Sequence, residues 1–377
     1  MIYLDHAATT PLPEAVADTM YDVLRHQFGN PSAQYPLGRE AKELVEEARR
    51  TIAGALGCQP LALHFTSCGT ESDNWAIRAA AWQGRHTGRH IITTAVEHSA
   101  VLEPCRQLEQ EGYAVTYLEP DRTGHISAGQ VAEALREDTV LVSVMLVNNE
   151  TGCLFPVADI ARLLKERGSR ALLHCDAVQG FLKVPCNPAG WGVDLMSLSA
   201  HKIGGPKGIG ALYVRPDLRN LRPLLAGGGQ EEGLRSGTEA TAQIAGFAKA
   251  VALRQEGLEE KLAHMARIKA YCRERLLSIP GVVPVGGGEA PHILAVSLVG
   301  YPSANVINDL GSQGICLSAG SACHRGKASR GYAALGLDKR TAAGVLRLSF
   351  GPETTEGDID ALYEALLRHK NTRFSML

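Results

Sequence analysis

The chain has 377 residues, 45% of them hydrophobic and 21% charged, with 38 basic against 40 acidic side chains and a net charge of −2. That composition is typical of a soluble globular protein, and it excludes nucleic-acid binding driven by bulk positive charge, so no direct nucleic-acid partner is expected. The length exceeds the ~250–300 residues at which single cores stop growing, so two domains are expected.

The opening segment MIYLDHAATTP has neither a basic region nor an apolar core and does not read as a signal peptide. The apolar run Val140–Val147, interrupted by Ser143, falls far short of the ~20 residues that span a bilayer. No membrane association and a cytoplasmic location are therefore expected. Nine cysteines, an odd number without a C-x-x-C pair, suit neither a disulfide scaffold nor a zinc ribbon. Reduced thiols and no metal site are expected, with Cys153, Cys175 and Cys316 in the core.

Along the chain, Leu37, Ala41, Leu44, Val45, Ala48, Ile52 and Leu56 recur at helical spacing. Ala62–Thr66 reads as a strand, followed by Ser67-Cys68-Gly69-Thr70 and a helical pattern. Ile91–Ala95 is a second strand. His86 and His90 have i,i+4 spacing without the glutamate of H-E-x-x-H, and read as a solvated surface pair. Ser127-Ala-Gly-Gln130 has capping-box spacing and predicts a helix to Glu137. Val140–Val147 is a buried strand, and Pro156 suits the first turn of a helix to Arg167. Ala171–Cys175, Leu195–Ser199 and Ile209–Val214 are further strands. Such alternation predicts a mostly parallel sheet covered on both faces. Glu239–Ser278 is helical throughout and connects to further strands, His292–Val299 and Leu346–Phe350. The division expected is a large domain over 12–255 and a smaller α/β domain over 1–11 and 256–377.

In such sheets ligands bind beyond the carboxyl ends of the strands, where several polar clusters fall. Gly69 and Thr70 lie between a strand and a helix, where free N–H groups suit a phosphate, or merely a cap. Ser199-Ala-His201-Lys202 places a lysine at a strand end, where partial desolvation lowers its pKa and suits carbonyl chemistry. Asp176 could pair with a protonated ring nitrogen or cap the next turn. His98 could stack on a flat ring or move protons, and Asn149 could bond a ring hydroxyl. Cys323 sits among small residues with His324, Arg325 and Lys327 following, cations that stabilise a thiolate.

Taken together, Tyr3-Leu-Asp-His-Ala-Ala-Thr-Thr-Pro11, Phe28-Gly-Asn-Pro-Ser32, Thr66-Ser-Cys-Gly-Thr-Glu-Ser72, Val147-Asn-Asn-Glu150, His201-Lys202, Gly227-Gly-Gly-Gln-Glu231, Arg235-Ser-Gly-Thr238 and Gly320-Ser-Ala-Cys323 occur in the order that resembles NifS/IscS-type cysteine desulfurases. The resemblance covers nearly the whole chain. It implies the pyridoxal-phosphate-dependent transferase fold type I, with a seven-stranded sheet, and a homodimer. It implies that Lys202 holds pyridoxal 5'-phosphate covalently, with Gly69, Thr70, Ser199 and His201 on the phosphate and Thr238 reaching the phosphate of the other subunit. Asp176 would meet the ring nitrogen, Gln179 the phenolic oxygen, and His98 the ring face. Asn149 and Arg347 would bind the carboxylate of L-cysteine, and Cys323 would accept its sulfur. That sulfur would pass to an acceptor protein, an iron–sulfur scaffold or a thiolation enzyme. A selenocysteine lyase, another C–S lyase, or a partner-dependent sulfur-delivery protein with weak turnover are the alternative readings. Cys68 stands where the family usually has glycine, Glu232 where an arginine often stands, and the basic stretch His324–Lys327 replaces a run of small hydroxyl residues.

Overall fold

The computed structural model describes residues 1–218, 220–320 and 330–372. Its strands are β1 (Ile2–Tyr3), β2 (Leu63–Thr66), β3 (His90–Thr94), β4 (Ala114–Leu118), β5 (Thr139–Met145), β6 (Leu172–Asp176), β7 (Leu195–Ser199), β8 (Gly210–Val214), β9 (Val282–Pro284), β10 (Ile293–Leu298), β11 (Ile315–Cys316) and β12 (Val345–Ser349). Seven form one sheet in the order β2-β8-β7-β6-β5-β3-β4, in which β8 alone runs antiparallel to its neighbours. The class expected from the sequence, an α/β protein with a mostly parallel seven-stranded sheet, is what the chain adopts. The seventh strand, β4, lies at the edge, where its alternating Val115-Thr116-Tyr117 is only half-buried.

The helices that frame this sheet are α1 (Glu14–His26), α2 (Pro36–Leu56), α3 (Gly69–Gly84), α4 (Ser99–Gln110), α5 (Ala128–Ala134) and α6 (Val157–Glu166). A short α7 (Pro188–Trp191), then α8 (Thr241–Gln255) and α9 (Leu258–Leu277) follow. One core lies between Ile52, Leu56, Val142, Val144, Phe181 and Phe247, and a second behind Trp75, Ile77, Ile91 and Val101. A separate core forms on the three-stranded antiparallel sheet β12-β10-β9, where α9 and the helix Glu356–Thr372 supply Ile268, Leu276, Ile359 and Leu366. The first strand joins that core, because β1 pairs in parallel with β11 and Leu4 packs there.

Several expectations are corrected. The capping box of Ser127 and Gln130 is present, but α5 ends at Ala134 rather than Glu137. Arg136 binds Asp138 through two bonds and its N–H donates to Thr139 Oγ1, so side chains turn the backbone into β5. The helical stretch from Glu239 is two helices, broken at Gly257, whose φ of 59° is left-handed. His90 is not a surface residue. It is fully buried, with Nδ1 on Thr139 and Nε2 on Thr116. Cys153 and Cys175 are buried as expected, whereas Cys316, on a two-residue edge strand, is half-buried. Among the described residues no helix is long and apolar enough to cross a membrane.

Candidate active site

The parallel strands deliver their carboxyl ends to one cavity of about 260 Å³. Gly69 and Thr70 follow β2, His98 follows β3, Asn149 follows β5, Asp176 and Gln179 end β6, and Ser199, His201 and Lys202 end β7. Arg347 reaches the same cavity from β12, across the boundary between the two sheets. These nine residues singled out in the sequence, and Arg347 with them, thus line one space. Thr238 is exposed and does not line it, and Cys323 lies outside the described residues.

On one side of the cavity, Gly69 is the first residue of α3, where backbone N–H groups lack helical partners. A Cβ at Gly69 would sit 2.7 Å from Val178 Cγ2, so the close approach of backbone to strand end requires glycine. The Ser199 hydroxyl is buried without a partner. His201 Nδ1 meets Thr9 Oγ1 at 3.1 Å, and burial pushes its pKa down to about 4, helped by Lys202, Lys183 and Lys207. An orphaned hydroxyl beside a helix N-terminus and a lysine fits a phosphate.

Asp176 lies at the opposite end. Its Oδ1 accepts the Val178 N–H at 2.9 Å, and burial raises its pKa while His98 and Lys202 pull it down. A cationic ring nitrogen over this carboxylate would supply the counter-charge that burial demands. His98 Nδ1 accepts from the Ala100 N–H as the cap of α4, which leaves Nε2 as the N–H position of the neutral ring. Gln179 donates to the Ala7 carbonyl at 2.8 Å and accepts from Lys183 at 3.2 Å. These groups fit a planar, phosphorylated, protonated heterocycle such as pyridoxal phosphate.

The N-terminal segment completes the wall, a contribution the residue-by-residue reading missed. Lys202 Nζ donates to the carbonyls of Ala7 and Ala8 at 2.7 and 2.8 Å, and Thr10 is tied to His201 and Gly204. The only sequence signal was the motif from Tyr3 to Pro11 itself. Arg347 is 2% exposed; Nη2 binds Asp5 Oδ1 at 2.8 Å and Nη1 donates to the Asn149 carbonyl at 2.9 Å, while Nε has no partner. Asn148 shapes the preceding turn by accepting from Glu150 and Thr151, which sets Asn149 on the cavity.

Three buried acids lie together at and beneath the cavity floor. Burial raises Asp73 well above the carboxylate range, with Asp176 adding to it, and raises Glu97 to about 8. Ser318, just before the segment containing Cys323, pairs its backbone with Arg347 and donates its hydroxyl to Asp5. Beyond that segment the Tyr332 hydroxyl donates to the Glu150 carbonyl. Both anchors of the cysteine-bearing segment therefore stand beside the Arg347 end of the cavity.

Two other clusters stand apart. Arg49 holds Glu231 in a buried two-bond pair at 2.8 and 3.0 Å, fixing the loop before Thr238. His125, Cys153 and Glu289 bring potential ligand atoms within 4.8 Å of one another, but none lines the cavity, and an ion pair already joins His125 to Glu289.

Residues 2–362 match the model of the aminotransferase class-V family. A cysteine desulfurase IscS of Vibrio campbellii is 41% identical over 374 residues, covering 97% of this chain and 91% of that protein. A solved NifS-like protein superposes with a TM-score of 0.93 at 35% identity, covering 99% of this chain and all of the other. A third relative, solved as SspA in complex with cysteine, has a TM-score of 0.81 at 35% identity and covers 94% of this chain and all of its own.

Proposed function

The chain belongs to the aminotransferase class-V family, among its NifS/IscS-like cysteine desulfurases, and from that premise we propose how its residues divide the work. The observation that carries the reading is the convergence of Lys202, Asp176, His98, the Gly69–Thr70 turn and Arg347 on one cavity. Pyridoxal phosphate, bound there, would supply an electron sink for the substrate α-carbon. Gly69, Thr70, Ser199 and His201 hold the phosphate, Asp176 keeps the ring nitrogen protonated, Gln179 offers an N–H to the ring oxygen, and His98 covers the ring face. Lys202 would anchor the cofactor, and its amine is the group placed to take the substrate α-proton. The carbonyls of Ala7 and Ala8 give that amine a resting place.

Arg347 and Asn149 hold the carboxylate of L-cysteine, a fork that matches a planar anion. The Cys323 thiolate then attacks the substrate sulfur. A sulfur–sulfur bond forms, the carbon–sulfur bond breaks, and its electron pair takes up a proton. L-alanine leaves and Cys323 keeps a persulfide, which an acceptor protein receives. The protein acts as a homodimer: Thr238 is exposed and does not line the cavity around Lys202, and Phe28, Tyr35, Leu37 and Leu225 are exposed apolar groups. Residues 12–255 carry the cofactor and residues 1–11 with 256–377 carry the sulfur acceptor. The unpaired thiols suit the cytoplasm.

Mass spectrometry of the holoenzyme after L-cysteine tests the assignment. The expected result is one added sulfur on Cys323, and loss of alanine formation in Cys323→Ala with cofactor absorbance intact. Sulfur carried by another cysteine, or undiminished alanine formation in Cys323→Ala, would overturn it.

A further inference from the structure

A second, larger cavity of about 570 Å³ lies behind Lys202, between the N-terminal segment, α8 and the C-terminal core. Its walls are apolar at Leu12, Ile203, Leu253 and Phe350. Its polar groups are mostly cations or donors: His6, Lys183, Arg254, His292 and Lys261. His292 is 1% exposed, and neither ring nitrogen has a hydrogen-bond partner. Lys183 is 3% exposed and spends one of three N–H groups, on Gln179 Oε1. Arg254 donates to the Leu182 carbonyl at 3.4 Å and to the Met265 sulfur at 3.6 Å; among the described residues no carboxylate is within ion-pair distance of it, and Glu353 acts on it only from further away. The acids on this cavity are Glu353 and Glu256. The Glu353 side chain is 61% exposed and stands 3.4 Å from His6 Nε2.

Buried cations whose counter-charge is distant and exposed are costly, and so are buried donors left unpaired. Burial lowers the pKa of His6, Lys183, Arg254 and His292 alike. Burial, then Arg254, Lys202 and Arg347, drives Lys183 well below the usual lysine range. Burial, then Lys183, Arg254, Lys269 and His6, does the same to His292. These groups repel one another across a space large enough for a small molecule.

We propose that this interdomain cavity is a binding site for a small organic anion, a carboxylate or phosphate ester with an apolar body, held by Arg254 and Lys183 with His292 donating or accepting the remaining bond. Apolar walls around a cationic floor favour an organic anion over a bare inorganic ion. The site does not depend on the desulfurase reaction, but Lys202 borders both cavities, so occupancy reports on the amine that serves the first.

The test is calorimetric titration of the cofactor-loaded holoenzyme with glutarate, with glycerol 3-phosphate, and with inorganic phosphate, alongside Arg254→Met, His292→Asn and Arg347→Lys. The site predicts saturable binding of at least one organic anion, weakened at least tenfold by Arg254→Met and several-fold by His292→Asn, and unchanged by Arg347→Lys. Tighter glutarate or tighter glycerol 3-phosphate binding tells which headgroup the site takes. If inorganic phosphate binds as well as either organic anion, the apolar walls play no part and an organic-anion site is overturned. Loss of binding in Arg347→Lys with retention in Arg254→Met would place the anion in the substrate cavity, and absence of saturable binding would leave only water behind Lys202. Either result ends the proposal. Arg254→Met that fails to fold leaves His292→Asn to decide, since that exchange removes only part of one ring.

Discussion

Replacing Arg347 by lysine keeps a positive charge at the cavity and removes the fork. The guanidinium spends Nη2 on Asp5 at 2.8 Å and Nη1 on the Asn149 carbonyl at 2.9 Å, and still has N–H groups and the orphaned Nε to offer an incoming carboxylate. A lysine has one nitrogen and cannot hold Asp5, the Asn149 carbonyl and a substrate anion in one plane. Losing one charge-assisted bond at this 2%-exposed position costs about 1.5–3 kcal/mol, or roughly 10–150-fold in kcat/KM at 1.36 kcal/mol per decade. The carboxylate is gripped equally in the ground state and the transition state, so the loss belongs in KM, with kcat held within a few-fold. Alanine release from L-cysteine with dithiothreitol measures both, and the cofactor spectrum checks that the fold survives. Asp5→Asn leaves the fork in place and removes its counter-charge, so KM should rise less. A KM unchanged in Arg347→Lys, or a loss confined to kcat, would refute the assignment of Arg347 to the substrate carboxylate.

Three further expectations concern the floor, the phosphate-binding turn and the loop. Burial raises the Glu97 carboxyl from 4.5 to about 8, so the native state keeps its proton where the unfolded chain releases it. That stability is complete below about 4.5 and is lost as pH rises to about 8, with a slope approaching ~1.4 kcal/mol per pH unit. Glu97→Gln preserves the acceptor to Thr94 and Met145 and should flatten that slope in denaturant titrations from pH 5 to 8; an unchanged slope contradicts it. Gly69→Ala drives a methyl against Val178 and should weaken cofactor retention in dialysis at least tenfold while the far-ultraviolet spectrum stays native. Glu231→Ala strands a buried guanidinium and should cost ~3–5 kcal/mol in urea unfolding, against less than 1 for the exposed Glu232→Ala.

The parallel strands were legible because Val140–Val147 and Leu195–Ser199 are apolar on both faces, the signature of strands covered by helices. The site was legible for the same reason: polar clusters after such runs fall at the carboxyl end of the sheet. What the sequence did not declare are pairings that only the closed fold creates. Asp5 and Arg347 are 342 positions apart, and neither carries a local mark of the other. Strands β1 and β11 have two residues each, too few for any periodicity, yet they bring Ala7 and Ala8 to Lys202. His90 was misjudged because a helical spacing with His86 suggested a surface, whereas the residue opens β3 and finds threonines on both neighbouring strands. The break at Gly257 was the opposite case: the glycine was visible, and the unbroken helical pattern around it was given more weight.

The distribution of charge around Lys202 explains why one carboxyl out of three can serve a cationic ring. Asp73, Glu97 and Asp176 are all buried, Asp176 raises both of the others and Glu97 raises Asp73, so ionising all three together is disfavoured. Of the three, Asp176 is the one that His98 and Lys202 pull down, and its Oδ1 accepts the Val178 N–H, while Glu97 accepts the Met145 N–H without a cation beside it. Asp73 Oδ1 and Glu97 Oε2 are buried with no hydrogen-bond partner among the described residues. Asp176 is therefore the acid of the three best placed to carry negative charge at the cavity. Lys183 and Arg254 line the second cavity, which Lys202 also borders. An amine in that position is poised between two unlike surroundings, and a base that must give up and regain a proton needs just such a position.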